Sequence, residues 1–271
     1  MSQFLKKPLT SAAICWRLER RDGIALGFTG HDRDLYLDGL VHRAAPGMLP
    51  SAISLSDGFD PGGLDVAGAL TSDAISEADL AAGRWDGAAL SIFMTDWETG
   101  AETLFLARGE LGEIAYSGAG FEAELRASAA ALERPVTEQT SPECRASLGD
   151  ERCRVDMAAR TIFTHVAAVV AEDVVEVAEA SGQANAHAYG RLRWLTGPNS
   201  GLASPLIASA GNRLTLREPP HYAASPGELV EVMEGCDKAF ATCRDRFANG
   251  DNFRGEPHLP GIDLLTRYPG A

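Results

Sequence analysis

The sequence predicts a mainly β protein, in which several small antiparallel barrels or sandwiches are accompanied by a minor α-helical part. Strand-like runs separated by turn residues recur about every ten residues, a spacing typical of antiparallel sheets. The chain of 271 residues contains 28 glycines and 14 prolines, which supply the many turns that such a fold requires. Hydrophobic residues make up 45% of the chain, so a substantial core is available.

Two dipeptides organise the first strands. Asp22-Gly23 and Asp38-Gly39 each separate two strand-like runs, and Asp-Gly is a strong signal for a tight hairpin turn. Cys15 lies within the first of these runs. We interpret Cys15 as a structural or free thiol rather than a metal ligand.

One short helix interrupts the strands of the N-terminal half. Ser76 is a typical N-cap residue, Asp79 follows three positions later, and Gly83 stands where the helix would end. A second short helical stretch is expected at residues 128–133. The further strand-like runs of this half are residues 51–56, 64–70, 88–97, 103–107, 110–116 and 121–126.

A polar, proline-flanked connector at residues 134–143 separates two predicted domains. Residues 1–135 form the N-terminal β-rich part, and residues 136–271 form a second β domain that contains the other four cysteines. The last predicted strand leads into a short C-terminal helix that carries Cys243. The strands of the second domain are expected at residues 161–170, 174–179, 190–196, 206–209, 213–217 and 228–233.

The charge balance limits the function classes that are open to the chain. Lysine and arginine number 24 against 38 acidic residues, for a net charge of −14, and such a surface repels the phosphates of nucleic acids. No apolar run approaches the roughly 20 residues of a membrane-spanning helix, and the N-terminus lacks the apolar region of a secretion signal. We therefore expect folding in a reducing cytosol, where stable disulfides are rare.

Catalytic motifs are missing from the sequence, so we do not predict an enzyme. There is no phosphate-binding loop, no dinucleotide-binding glycine pattern, no metalloprotease His-Glu-x-x-His and no nucleophile elbow. The run Gly197-Pro-Asn-Ser-Gly201 places a serine one position away from the elbow pattern. We interpret this run as a turn.

Four cysteines form two pairs, Cys144 with Cys153 and Cys236 with Cys243. Cys236 and Cys243 stand seven apart, so they would share one face if both were helical, with Cα atoms roughly 10 Å apart, which is too far for a disulfide. Both thiolates could nevertheless reach one object seated against that face, more easily if Cys236 lies in the helix cap. Residue spacing alone leaves two possibilities open, one shared metal centre or four unrelated thiols.

The residues around the four cysteines favour the shared centre. Cationic neighbours lower the pKa of thiols and offset the charge of a thiolate-ligated metal. The spacings Cys-x₈-Cys and Cys-x₆-Cys differ from the usual zinc spacing, and an iron–sulfur cluster, being larger, accommodates wider ones. A zinc ion and an iron–sulfur cluster therefore both remain as alternatives for the group that the site binds. The neighbouring cations are Arg145, Arg152, Arg154, Lys238 and Arg244.

Residues 235–261 resemble the C-terminal signature of a phage tail-tip family. The run begins Gly-Cys-Asp-Lys, continues through Thr-Cys-Arg and Asn-Phe-Arg-Gly, and ends Pro-His-Leu-Pro-Gly. The resemblance also includes residues 196–201, the Cys144 and Cys153 pair and residues 28–35, so that it covers nearly the whole chain. The family comprises the baseplate hub proteins of siphovirus-like tails and gene transfer agents, and it is related to the tail-tip protein L of lambda-like phages. Ala248 departs from the pattern, which has a glycine before the asparagine.

The resemblance implies a structural hub with a [4Fe–4S] cluster held by Cys144, Cys153, Cys236 and Cys243. It also implies a homotrimeric ring in the virion, at the tail tip or baseplate, assembled in the bacterial cytoplasm. The ring would join the distal tail protein to a fibre or host-contacting tip protein, with the tape measure protein and a tail peptidase as further partners. DNA would pass through its lumen without specific binding.

Two other functions remain as alternatives to the hub. One is a structural or binding module stabilised by zinc at the same four cysteines, which the identity of the metal distinguishes from the hub with a cluster. The other is a tail-associated enzyme, for which the sequence offers no second cofactor motif and no nucleophile–base pair.

Overall fold

The computed structural model describes residues 5, 10–44, 49–50, 64–69, 75–100, 103–117, 120–127 and 136–259. The chain divides into two compact units, Met1–Val136 and Thr137–Ala271. Strands dominate both units, which confirms the predicted mainly β class. The predicted strand at residues 51–56 and the predicted helix at residues 128–133 lie outside the described residues.

The described strands of the N-terminal unit form a single sheet. They are β1 (Ala12–Glu19), β2 (Ala25–Thr29), β3 (Leu35–Leu37), β4 (Leu40–Ala44), β5 (Leu49–Pro50), β6 (Leu64–Ala69), β7 (Ala89–Asp96), β8 (Thr103–Ser117) and β9 (Gly120–Ala127). Their order across the sheet is β3-β4-β2-β1-β7-β8-β9-β6-β5. Neighbouring strands run antiparallel, except that β2 and β4 run parallel.

Both predicted Asp-Gly turns connect antiparallel strands. Asp22-Gly23 joins β1 to β2, and Asp38-Gly39 joins β3 to β4. Asp38 and Gly39 have φ angles of 47° and 77°, so both central residues adopt the left-handed conformation that a type I′ hairpin turn requires. Aspartate and glycine tolerate this conformation better than most residues.

The main core of the N-terminal unit lies on one face of this sheet. Trp16, Leu18 and Phe28 pack there with Trp85, which follows the helix α1 (Glu77–Ala81). Helix α1 begins as predicted, because the Ser76 hydroxyl accepts a hydrogen bond from the Asp79 backbone N–H at 3.1 Å. No helix in the described part of the chain is long and apolar enough to cross a membrane.

Cys15 is fully buried in a separate small cluster with Leu37 and Phe93. Its thiol donates to the Thr29 hydroxyl at 3.4 Å. Burial raises the pKa of this thiol, with the Thr29 contact opposing the rise, so the group remains protonated at neutral pH. These contacts agree with the interpretation of Cys15 as a structural thiol.

The C-terminal unit is built on a closed antiparallel barrel. Its described strands are β10 (Thr161–Ala171), β11 (Val174–Val177), β12 (Arg191–Trp194), β13 (Ala203–Ala210), β14 (Arg213–Leu216) and β15 (Leu229–Met233). The order is β10-β11-β14-β13-β12-β15, and pairing of β15 with β10 closes the barrel. Leu192, Trp194, Leu214 and Val232 fill the interior, and the Trp194 indole donates to the Ser204 hydroxyl at 3.1 Å.

The run Gly197–Gly201 forms a turn after β12, as predicted. Ser200 Oγ donates to the Leu195 carbonyl at 2.9 Å. Asn199 is fully buried, donates to the Tyr222 carbonyl at 2.7 Å and accepts from the Tyr222 N–H at 3.0 Å. These bonds give the motif a structural role in holding the loop that contains Tyr222.

The cysteine-bearing segments precede and follow the barrel strands. Residues 136–160 lead into β10 and end in a 3₁₀ turn at Ala158–Arg160. After β15 come the helix α2 (Phe240–Asp245) and a second 3₁₀ turn at Gly250–Asn252. The barrel thus fixes the end of the first segment and the start of the second, because Thr161 of β10 pairs with Met233 of β15.

Candidate metal centre

The C-terminal helix carries only one of the two cysteines expected on its face. Cys243 lies in α2, whereas Cys236 precedes the helix by four residues. Lys238 has φ 66°, a left-handed conformation that breaks any helix between the two cysteines. The two thiols therefore do not share one helical face, and Cys236 lies in the loop before the N-cap residue Ala239 rather than in the helix cap.

All four cysteines of the C-terminal unit are free thiols. Cys153 and Cys243 are buried, with exposed fractions of 8% and 6%, whereas Cys144 and Cys236 are half-buried. Cys153 and Cys243 thus form an inner pair, and Cys144 and Cys236 form an outer pair. Each pair takes one cysteine from before the barrel and one from after it.

Backbone and side-chain hydrogen bonds join the two segments at the cysteines. The Cys144 N–H donates to the Lys238 carbonyl at 2.9 Å, and Lys238 Nζ donates to the Ala146 carbonyl at 2.6 Å. On the inner side, Asn249 Nδ2 donates to the Cys153 carbonyl at 2.6 Å. Segments about ninety residues apart in sequence therefore meet at the thiols.

Burial and nearby charge raise the pKa values of two of the four thiols. Burial raises the pKa of the Cys243 thiol, and negative charge on Cys144, Cys236 and Cys153 raises it further. Burial also raises the pKa of Cys236; Lys238 opposes the rise, while Asp237 and Cys144 add to it. Cysteine binds a metal as the thiolate, so metal binding at these residues would release protons.

Three N–H groups point at sulfur atoms of the set. The Lys238 N–H lies 3.4 Å from Cys236 Sγ, the Arg254 N–H lies 3.4 Å from Cys144 Sγ, and Asn249 Nδ2 lies 3.7 Å from Cys153 Sγ. Donors of this type stabilise thiolates and tune the clusters that thiolates hold. Arg254 Nε is also buried without a hydrogen-bond partner among the described residues. The donor set therefore fits a thiolate-ligated centre.

The described side chains are not grouped as a ready site for a single ion. Within residues 136–259 and the rest of the described chain, no three His, Cys, Asp or Glu side chains are grouped so that they could hold a metal ion. The hydrogen bonds of Cys144 with Lys238 and of Cys153 with Asn249 nevertheless bring the two cysteine-bearing segments together.

An ion pair that sequence reasoning missed connects the two ends of the cysteine region. Arg145 donates to both carboxylate oxygens of Glu256, at 2.7 and 2.9 Å. Glu256 also accepts a hydrogen bond from the Ser141 N–H at 2.9 Å. The bond from Arg145, and after it the bond from Ser141, lower the pKa of Glu256 to about 2. Position 255, beside this pair, has room only for glycine, because a Cβ atom there would lie 2.5 Å from the Glu143 carbonyl oxygen.

A second missed network connects the end of the barrel to α2. Glu234 accepts from Arg160 at 2.8 Å and from Arg246 at 2.7 Å. The two guanidinium groups lie 4.7 and 4.8 Å from the centre of the Phe247 ring. Neither sequence spacing nor residue type marks these partners, because they lie on three separate segments.

The cations predicted to surround the cysteines have mixed roles. Lys238 acts on Cys236 through its charge and its backbone N–H. Arg145 and Arg152 instead pair with Glu138, and Arg244 pairs with Asp245. In an acidic protein most cations find a carboxylate, so backbone and amide N–H groups supply much of the positive potential at the sulfur atoms.

Ala248 occupies the position where the tail-tip pattern has a glycine. Its φ angle is 48°, in the left-handed region that glycine adopts without steric cost. The turn after α2 therefore keeps the glycine-type conformation although the residue has changed. This conformation places Asn249 next to Cys153 and Cys243.

Comparison with known proteins identifies the family of the chain. The family described as "Baseplate hub protein, N-terminal attachment domain" matches residues 1–156, and "Phage conserved hypothetical protein BR0599" matches residues 185–263. A chain in the solved structure "Virion of native gene transfer agent (GTA) particle" is 35% identical, with a TM-score of 0.86 over 98% of this chain and 94% of that chain. No curated protein matches. The chain therefore belongs to the baseplate hub proteins, the structural tail-tip components of phage and gene transfer agent virions.

Proposed function

We propose that this baseplate hub protein holds a [4Fe–4S] cluster through Cys144, Cys153, Cys236 and Cys243. The single observation that carries the proposal is that two distant segments, each with two free thiols, are joined at their cysteines by the hydrogen bonds of Cys144 with Lys238 and of Cys153 with Asn249. Four cysteine thiolates are the usual ligands of such a cluster.

The sequence spacing of the cysteines and the tail-tip resemblance support a cluster over the zinc alternative. The spacings Cys-x₈-Cys and Cys-x₆-Cys differ from the Cys-x₂₋₄-Cys spacing that is usual for zinc. A cubane is larger than a single ion, so its ligands sit further apart and wider sequence spacings suit it.

The role we assign to the cluster is structural. When bound, it would link Cys144 to Cys236, which are 92 residues apart, and would restrain the unfolded chain. The chain's own bonds between Cys144 and Lys238 and between Arg145 and Glu256 bring the ligands together beforehand. The inner pair is shielded from water, while the outer pair lies nearer the surface.

We further propose that three copies form a ring that joins the distal tail protein to a fibre or host-contacting tip protein. The tape measure protein and a tail peptidase are additional proposed neighbours. The tail-tip resemblance and the similarity to a chain of a gene transfer agent particle support this assembly. The net charge of −14 supports passage of DNA through the ring without trapping. Light scattering of the purified protein tests the trimer, and a monomer mass at assembly concentrations would contradict it.

The first test is the metal content of the anaerobically purified protein. We expect about four iron and four sulfide per chain, with visible absorption typical of iron–sulfur proteins. The double variant Cys236→Ser/Cys243→Ser should lose both. One zinc ion without sulfide would instead establish the zinc module.

The fifth cysteine supplies a matched control for this test. Cys15→Ser makes the same chemical change in the N-terminal unit, where the hydroxyl retains a hydrogen-bonding position beside Thr29. Its iron content should equal that of the wild type. If Cys15→Ser loses iron to the same extent as the double variant, or if the wild type holds no metal, the four-cysteine assignment is overturned.

A further inference from the structure

Asn249 contacts both buried cysteines of the candidate centre. Its side-chain Nδ2 lies 2.6 Å from the Cys153 carbonyl oxygen and 3.7 Å from Cys153 Sγ. Its backbone N–H donates to the Cys243 carbonyl at 2.9 Å. One residue thus holds together two proposed ligands, one from the segment before the barrel and one from the segment after it.

The orientation of the Asn249 amide follows from its partners. A backbone carbonyl only accepts hydrogen bonds, so the NH₂ group of Asn249 must face Cys153. The amide oxygen faces the other way and accepts from Asn252 Nδ2 at 2.7 Å. Both ends of the amide are therefore fixed, and its second N–H is held beside the Cys153 sulfur.

Asn249 also contacts the sulfur of the second buried cysteine. The Cys243 thiol donates to the Asn249 carbonyl at 3.3 Å. Asn249 therefore touches both buried thiols, Cys153 through its side chain and Cys243 through its backbone.

From these contacts we infer that Asn249 is a positioning residue for the iron–sulfur centre, whose side-chain amide fixes Cys153 and directs an N–H at its sulfur. This inference rests on the proposed function. Hydrogen bonds to the sulfur atoms set both the retention and the reduction potential of such centres. Replacing the amide by a carboxylate removes the donor and adds negative charge at the same place.

The test compares Asn249→Asp with Asn212→Asp in the full chain purified without oxygen. Asn212 makes a matched side-chain bond, because its Nδ2 donates to the Ala178 carbonyl at 3.0 Å within the barrel. In Asn249→Asp we expect iron affinity to fall on the order of ten- to a hundred-fold. A more negative reduction potential is expected with it. Asn212→Asp should match the wild type, and Asn249→Gln, which keeps an amide donor, should recover part of the loss.

The outcomes separate this inference from the proposed function. Wild-type protein that binds iron, together with Asn249→Asp of unchanged affinity and potential, overturns the inference alone. Wild-type protein that binds no iron overturns the proposed function and the inference with it. If circular dichroism shows that Asn249→Asp is unfolded, Asn252→Ala decides, because it frees the amide while retaining Asn249. A potential equal to that of the wild type in Asn252→Ala then overturns the inference, and a more negative one supports it.

Discussion

His187 and Glu234 are two buried ionisable residues whose protonation is coupled to folding of the C-terminal unit. The Ser181 N–H donates to His187 Nε2 at 3.1 Å, so the ring must be neutral at that nitrogen. Burial lowers the pKa of His187, with Glu234 and Arg246 acting in opposite directions on it. Burial raises the pKa of Glu234, but hydrogen bonds from Arg160 and Arg246 outweigh it and leave the pKa lowered.

We expect the free energy of unfolding of this unit to fall as the pH drops below about 6.5. The unfolded chain protonates His187 near its ordinary pKa, whereas the folded chain does so only at lower pH. The unfolded state therefore binds more protons in this range, and a falling pH stabilises it relative to the folded state. The unfolded state likewise binds more protons at Glu234 once the pH falls below the ordinary pKa of this group, 4.5. Hydrogen-exchange mass spectrometry of barrel peptides across this pH range measures the effect.

The variant His187→Gln isolates the histidine contribution to this pH dependence. It should remove the loss of stability that begins near pH 6.5 and retain the loss at lower pH. His221→Gln changes an exposed histidine and serves as the control. Equal pH profiles for the wild type and His187→Gln would show that His187 is not the titrating group.

A close backbone contact between Gly235 and residues 186–190 fixes the position of Cys236 after strand β15. The Gly235 N–H donates to the Ala186 carbonyl at 3.1 Å. A Cβ atom on Gly235 would lie 2.0 Å from the Ala188 carbonyl oxygen and 2.1 Å from the Gly190 nitrogen. Backbone atoms cannot move aside as a flexible side chain can, so this crossing requires glycine.

We expect Gly235→Ala to destabilise the C-terminal unit by about 3 kcal/mol or more, because the added methyl group forces the two loops apart. The same displacement should lower the iron content by moving Cys236. Urea unfolding and iron analysis measure the two effects. Gly182→Ala provides the control, since nothing lies within 4 Å of its added Cβ, and its change should stay within about 0.5 kcal/mol. Similar losses in both variants would refute the role of the close approach.

At the scale of the whole molecule, all four proposed ligands belong to one of the two compact units. Cys144, Cys153, Cys236 and Cys243 lie within Thr137–Ala271, whereas the buried Cys15 lies within Met1–Val136. A bound centre would add its binding free energy to the folded form of the unit that holds it.

Removal of iron should therefore loosen the C-terminal unit selectively. We expect faster hydrogen exchange at residues 141–153 and 236–256 after anaerobic chelation, because these segments lose their common ligand. Strands β1 and β7 of the N-terminal unit should exchange at an unchanged rate. The measurement compares peptides before and after chelation, and an equal increase in both units would contradict a local structural role.

The sequence by itself determined the features that depend on neighbouring residues. Strand spacing predicted the mainly β class, the Asp-Gly pairs predicted two hairpins, and Ser76 predicted the start of α1. These features follow from the backbone preferences of a few adjacent residues, which operate wherever the segment lies in the fold. The tail-tip resemblance indicated the family, which the comparisons confirm.

Only the tertiary structure decided how the cysteine region is assembled. The presentation of Cys236 by a loop depends on the left-handed Lys238, and the local spacing of the cysteines suggested a shared helical face instead. The contacts of Asn249 with Cys153 and of Arg145 with Glu256 join residues about a hundred positions apart. Such pairs carry no signal in adjacent residues, because the path of the chain around the closed barrel alone brings them together.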